Sequence, residues 1–245
     1  MRVPLARAEE ARARFLDLAP GGFEEAVAGE QLELAAYVGE DGEAAVRAAF
    51  GRAATAPVEP GWEEAWRRFH RPVRIGPLWI GPPWEEPDAG SLPVVIDPGR
   101  AFGTGSHATT RLCLELLLEI EPTSLLDVGC GSGVVAVAAT RLGFAPVSAL
   151  DADEAAVAAA RENAAANGIG LTAVLADAMT DPLPPADVAV ANIELAAIEA
   201  LDARVDARTF VVSGYLERDR PSLAGWRPVE RRTLDGWAAD RFERA

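Results

Sequence analysis

From residue 94 onward, short apolar runs alternate with stretches whose apolar positions recur every three or four residues. The runs SLLDVG (124–129), APVSALD (145–151), LTAVLAD (171–177), DVAVANI (187–193) and RTFVVSG (208–214) are nearly continuous in apolar residues. Strands of that kind are buried on both faces, as in parallel sheets covered by helices. The intervening stretches 109–120, 133–142, 154–167 and 194–204 have helical periodicity. Asp153 is placed to cap the third of these and Gly168 to end it. Strands alternating with helices predict an α/β fold with a doubly wound, mostly parallel sheet.

The chain ahead of this reads differently. In LARAEEARARFLDL, Leu5, Ala8, Ala11, Phe15 and Leu18 fall near one helical face, and the PGG at 20–22 ends it. QLELAAYV (31–38) alternates weakly as a strand does, GEDG is a turn, and EAAVRAAF (43–50) is a second helix. Helix, strand, helix predicts a small α+β domain over 1–55. Residues 56–93 are proline-rich and hold four of the six tryptophans, Trp62, Trp66, Trp79 and Trp84. Within them WEEAWRRF suits a short helix, and PVRIGPLWIGPPW reads as extended chain whose prolines bar it from a central strand. The expected organisation is therefore 1–55, a packing connector over 56–93, and the α/β domain over 94–245.

Composition narrows the function. At 245 residues and 49% hydrophobic, the chain can bury a sizeable core. No run of about 18 apolar residues offers a membrane span. The opening MRVPLARAEEARARF lacks the apolar centre of a signal peptide, so a cytoplasmic protein is expected. Cys113 and Cys130 are the only cysteines, which gives neither a disulfide framework nor a metal-ligand pattern. The net charge of −15 disfavours direct nucleic-acid binding and suits a basic partner. All 23 cationic residues are arginine. A monomer without a metal site is expected.

The chemistry-bearing stretch is LLDVGCGSGVVAVAA, a strand, a glycine turn and a helix. Gly129, Gly131 and Gly133 permit a tight turn and a close ligand approach. Their G-x-G-x-G spacing departs from the G-x-G-x-x-G of dinucleotide binding, so a pyrophosphate cradle is disfavoured. Asp151, 22 residues after Gly129, ends the second strand where an acid can accept both ribose hydroxyls. Asp177 ends the third strand, where it can meet an adenine amino group or serve simply as a loop acid. Asn192 ends the fourth, as ligand contact or turn former. In open parallel sheets ligands bind outside these carboxyl ends. The set suits adenosine without phosphates, and S-adenosylmethionine is the cofactor that fits.

The succession of VVIDPGRAFGTGSHATTRLCL, LLDVGCGSGVVAVAA, ALDADEAAVAAARENAAANG and DVAVANI resembles class I S-adenosylmethionine-dependent methyltransferases, and more narrowly the PrmA family. The likeness runs from about residue 62 to about residue 193, while 1–55 matches only in kind, as a small substrate-recognition domain. It implies a Rossmann-like, class I methyltransferase domain. It also implies methylation of a basic large-subunit ribosomal protein, number eleven, at lysine side chains or the N-terminal amine. By the same likeness Thr110, Gly129, Asp151 and Asn192 contact the cofactor, with Phe102 packing over it; Gly131 and Asp177 join them by their places in the glycine turn and at a strand end. Asn192 would also orient the substrate amine, and His107 would be a structural hydrogen-bonding residue or a further ionisable group. NIEL (192–195) lacks the two prolines that amide methyltransferases place after this asparagine. Glu194 and the following LAAIEAL also depart from the family pattern. A related methyltransferase acting on another protein or a small-molecule amine is the alternative. A cofactor-free binding module or a nicotinamide oxidoreductase fits the glycine motif less well.

Overall fold

The computed structural model describes residues 70–98 and 103–245 continuously and, ahead of them, 2–4, 7, 11, 14, 15, 18, 24–29, 31–36, 38, 40–51 and 54. The chain divides into two compact units, Met1–Glu63 and Glu64–Ala245, where the sequence suggests three segments.

In the first unit, β1 (Arg2–Pro4), β2 (Glu24–Ala28) and β3 (Gln31–Ala35) form an antiparallel sheet in the order β1-β3-β2. A helix, α1 (Glu40–Phe50), follows. The sequence reading misses β1 and β2. Gly29, at φ +63°, makes the turn that folds β2 onto β3. Leu32 and Leu34, alternate residues of β3, are fully buried beside Phe15 and Val46. The Phe15 and Phe50 rings lie 5.8 Å apart.

The second unit opens with a small sheet of β4 (Val73–Ile75), β5 (Leu78–Gly81) and β6 (Leu92–Val95), with β5 in the centre. This corrects the expectation that proline bars the stretch from a central strand. Pro77 and Pro82 bracket β5 and leave its interior N–H groups free to pair, while Pro93 lies on the outer strand β6. Trp79, 2% exposed, fills the space beside Gly81, where a Cβ would come within 2.5 Å of the indole. Trp62, Trp66 and the helix expected over WEEAWRRF lie outside the described residues.

The large sheet holds β7 (Leu125–Val128), β8 (Val147–Asp151), β9 (Thr172–Leu175), β10 (Val188–Asn192), β11 (Thr209–Leu216), β12 (Trp226–Leu234) and β13 (Trp237–Arg244) in the order β12-β13-β11-β10-β7-β8-β9. Strands β7 to β11 run parallel, and β13 and β12 are antiparallel additions. The helices are α2 (Ala108–Leu117), α3 (Val134–Arg141), α4 (Glu154–Ala166) and α5 (Leu195–Ala200). Strand residues alternate between two apolar layers. Leu125, Val188, Val190 and Val211 pack with α2 and α3, whereas Leu126, Ala189, Ala191 and Phe210 pack with Ile198 and Trp226. Burial on both faces is the reason these strands read as unbroken apolar runs. The fold is a Rossmann-like, mostly parallel α/β sheet with helices, accompanied by the small α+β unit.

The β12–β13 hairpin lies beyond the predicted elements. Asp235 and Gly236 take the two positive-φ positions of its turn, at +51° and +80°. It is tied to β11 by a buried network: Tyr215 Oη donates to Asp240 Oδ2 at 2.7 Å, and Arg231 Nη1 donates to the same oxygen at 2.8 Å. Burial first, and then the Asp240 charge, push the Tyr215 hydroxyl far above its ordinary pKa, so it remains a donor.

Candidate functional site

The chain passes from β7 outward to β8 and β9, then crosses back to begin β10 on the other side of β7. This reversal opens a crevice beyond the carboxyl ends of β7 and β10, the place where such sheets bind ligands. Gly129 leaves β7 there, and Asn192 ends β10 beside it.

The glycine turn after β7 has φ of +71°, +51° and +78° at Gly129, Gly131 and Gly133, which side chains rarely adopt. A Cβ at Gly129 would lie 2.5 Å from Ile193 Cγ2, and one at Gly133 would lie 2.9 Å from Ala160 Cβ. These two glycines thus serve chain packing as much as ligand access. Gly214 packs against Ile193 as well, on its backbone. At φ +108°, its Cβ would lie 2.0 Å from the Ile193 carbonyl oxygen. Ile193 is therefore held between two glycines, which fixes the backbone that carries Asn192.

Asp151 closes the turn from β8. Its Oδ2 accepts the Gly131 N–H at 2.9 Å, and its Oδ1 accepts the Asp153 N–H at 3.0 Å. Asp153 caps α4 by accepting the Ala155 N–H at 2.9 Å, the role its sequence position suggests. Asp177 is exposed and organises its own turn: its Oδ1 accepts the Met179 N–H at 2.8 Å and its N–H donates to Asp181 Oδ2 at 2.9 Å. Phe102 lies outside the described residues.

Thr110 is 1% exposed in the first turn of α2, and its Oγ1 accepts from Asn192 Nδ2 at 3.3 Å. Thr110 thus lies behind Asn192 and orients it, leaving Asn192 Oδ1 as the amide's acceptor. His107 is the N-cap of α2, accepting the Thr109 N–H through Nδ1, which also lies 2.8 Å from Thr109 Oγ1. Its ring meets Trp237 edge-on, with centroids 5.0 Å apart. The structural role for His107 is thereby realised: it starts the helix that carries Thr110.

Asp127, in the middle of LLDVG, is a residue the sequence reading quotes without assigning. It is 2% exposed, and its Oδ2 accepts the Ala136 N–H at the start of α3 at 3.1 Å. Burial, with Asp151 adding to it, pushes its carboxyl up to about 7 against the pull of that hydrogen bond. An unfolded chain releases this proton near pH 4 and the folded one near pH 7, so stability is full below pH 4 and is lost as pH rises through 7. Asp127→Asn keeps an acceptor for Ala136 and cannot ionise. Its unfolding free energy relative to wild type should rise between pH 4 and pH 8 by on the order of 3 kcal/mol in denaturant titrations. An equal difference at both pH values would overturn this reading. Burial and the Asp127 charge also push the Cys113 and Cys130 thiols far up, so both stay protonated, and both are free of disulfides.

Among the described residues no group of three or more His, Cys, Asp or Glu is placed to hold a metal ion. None of their helices is long and apolar enough to cross a membrane.

The family model described as "Ribosomal protein L11 methyltransferase (PrmA)" matches residues 26–226. The chain belongs to the PrmA family. Relatives bearing that protein name include one from Symbiobacterium thermophilum, 43% identical over 197 residues, which covers 74% of this chain and 65% of the relative. One from Shewanella sediminis is 37% identical over 211 residues, covering 81% of this chain and 69% of the relative. A third, from Dechloromonas aromatica, is 48% identical over 139 residues, covering 55% and 46%. The match with the Symbiobacterium protein therefore spans just under two thirds of that relative's length. Among solved structures, a ribosomal protein L11 methylase from Lactobacillus delbrueckii subsp. bulgaricus superposes with a TM-score of 0.63 at 29% identity, over 71% of this chain and 99% of that one. The PrmA match takes in the glycine turn, Asp151 and Asn192 together.

Proposed function

We propose that this chain is an S-adenosylmethionine-dependent protein methyltransferase acting on amino groups, lysine or N-terminal, of ribosomal protein eleven of the large subunit. One observation carries the reading: at the crevice between β7 and β10, an amide held by Thr110 stands beside a glycine turn tied to a strand-end carboxylate. The Asp151 carboxylate fits a ribose. Each of its oxygens takes one backbone N–H, and an ionised carboxylate has about four acceptor sites, so two hydroxyls can still be received. Gly129, Gly131, Asp151 and, at the rim, Asp177 are the residues assigned to the cofactor, while Asn192, with Thr110 buried behind it, bounds the site on the amine's side.

Bound S-adenosylmethionine supplies a methyl group activated as a sulfonium. This chain's part is orientation, since in-line displacement by an amine depends chiefly on holding the reacting atoms together. Asn192 Oδ1 accepts an N–H of the incoming amine and points its lone pair along the transfer axis. The amine must arrive neutral, and a nearby cationic sulfonium lowers its pKa. Exposed Glu194, two residues on, favours a cationic substrate at the entrance.

The test is transfer of labelled methyl from S-adenosylmethionine to intact large ribosomal subunits and to free ribosomal proteins, followed by mass spectrometry. Because the chain contains no lysine, any methyl-lysine in the mixture comes from the substrate. Label in protein eleven at an amine supports the proposal. Cofactor binding with label elsewhere, or on a small amine, replaces the substrate while keeping the methyltransferase.

A further inference from the structure

The two glycine-rich segments, DPGRAFGTGSHATT and GCGSG, are joined by one side chain of α4. Asn163, 5% exposed, accepts the Asp97 N–H through Oδ1 at 3.0 Å and donates from Nδ2 to the Ser132 carbonyl at 2.9 Å. Asp97 opens the first segment and Ser132 lies in the turn of the second. Ser132, 1% exposed, adds a second link by donating its hydroxyl to the Gly103 carbonyl. Gly103 stands at φ +103°, and a Cβ there would come within 3.3 Å of that hydroxyl.

One turn further along α4, Asn167 makes a similar pair of bonds. Its Oδ1 accepts the Val95 N–H at 2.9 Å and its Nδ2 donates to the Val95 carbonyl at 2.7 Å. The spacing has a simple origin. Four residues of helix rise about 6 Å, and two residues of extended chain span about 6.6 Å. Asn163 and Asn167 therefore meet Asp97 and Val95 in step. Both are buried amides bonded to backbone, and either one truncated leaves buried polar groups unpaired. They differ in one respect. The Asn167 side chain bonds to β6 and to its own helix, whereas the Asn163 side chain reaches the glycine turn.

We propose that Asn163 is a positioning residue for cofactor binding, acting through Ser132 and Asp97 to hold the two glycine-rich segments as one cradle. The proposal rests on the S-adenosylmethionine reading above. Asn167 serves as its matched structural control, and Ser132 as a second handle on the same link.

The experiment is calorimetric titration of Asn163→Ala, Asn167→Ala and Ser132→Ala with S-adenosylmethionine and S-adenosylhomocysteine, with a melting curve for each unliganded variant. Asn163→Ala should raise both dissociation constants by about 10-fold or more, and Ser132→Ala by about 3-fold, in line with the loss of one or two hydrogen bonds that organise the site. Asn167→Ala should lower the melting temperature comparably and leave both constants within about 2-fold of wild type. Should Asn163→Ala fail to fold, the milder Ser132→Ala decides, and wild-type affinity there overturns the proposal. Equal affinity losses in Asn163→Ala and Asn167→Ala also overturn it, since a general loosening moves both. A wild-type chain that binds neither ligand overturns the function itself and this proposal with it; a wild type that binds as well as Asn163→Ala overturns the proposal alone.

Discussion

Replacing Asn192 with alanine is expected to lower turnover by about 100-fold while changing the dissociation constant for S-adenosylmethionine by less than about 3-fold. The split follows from how Asn192 is held. Its backbone is fixed by the parallel ladder, where it pairs with Ser213 of β11, and the following residue donates its N–H to the Ser213 carbonyl at 3.1 Å. Truncation to alanine leaves that ladder and the packing of Ile193 against Gly129 intact. What it removes is the amide that Thr110 orients, and with it the acceptor proposed for the incoming amine. Displacement reactions are sensitive to such losses, because misplacement by about 1 Å can cost about 100-fold. Single-turnover rates at saturating cofactor, set beside calorimetric titration, separate the two effects. A loss of affinity as large as the loss of rate would make Asn192 a cofactor-binding residue and remove its role toward the amine.

The parts of this fold legible in the sequence are those whose environment is uniform. Strands β7, β8, β10 and β11 have apolar neighbours on both faces, so their runs carry the signal alone. Asp151 and Asn192 were legible because strand ends in a parallel sheet share one edge, and topology alone brings them there. Asp177 is at that edge too, yet its side chain is spent on a local turn, and no spacing argument separates a loop acid from a ligand contact. The missed residues are polar ones at buried positions. Asn163 and Asn167 share the buried face of α4 with Ala156, Ala160 and Ala164, so their helical spacing placed them inward. Recognising what they bind required knowing that 95–97 runs alongside, a contact across more than 60 residues of chain. Asp127 differs: its partner, the Ala136 N–H, is near in sequence, but an acid inside an apolar run gives no sign that the turn folds a helix start back onto it. The β12–β13 hairpin, by contrast, carried a local signal in its Asp235-Gly236 turn. Charged residues along both strands, such as Arg231, Glu230 and Arg241, masked the alternation there.

Asp151→Ala should show the opposite pattern to Asn192→Ala: a dissociation constant for S-adenosylmethionine raised by at least about 100-fold, with turnover at saturating cofactor within about 5-fold of wild type. Hydrogen bonds to a charged group contribute about 1.5–3 kcal/mol each, so losing two to a ribose supplies the affinity change. The tether to Gly131 is lost as well, which frees the glycine turn on one side. Asp151→Asn gives the intermediate case. Its carbonyl oxygen can still accept the Gly131 N–H and one hydroxyl, but its NH2 can accept neither the Asp153 N–H nor the second hydroxyl, so a loss of about 10-fold is expected. Isothermal titration of both variants, alongside saturation kinetics on the same preparations, reads the pattern directly. Binding by Asp151→Ala within about 3-fold of wild type would mean that the ribose is held elsewhere, and the carboxylate would then be left with shaping the turn as its sole function. Residues 192 and 151 stand on strands flanking β7 on opposite sides. Their variants should therefore divide rate from affinity across the switch point: the β10 side governs the amine and the β8 side governs the nucleoside.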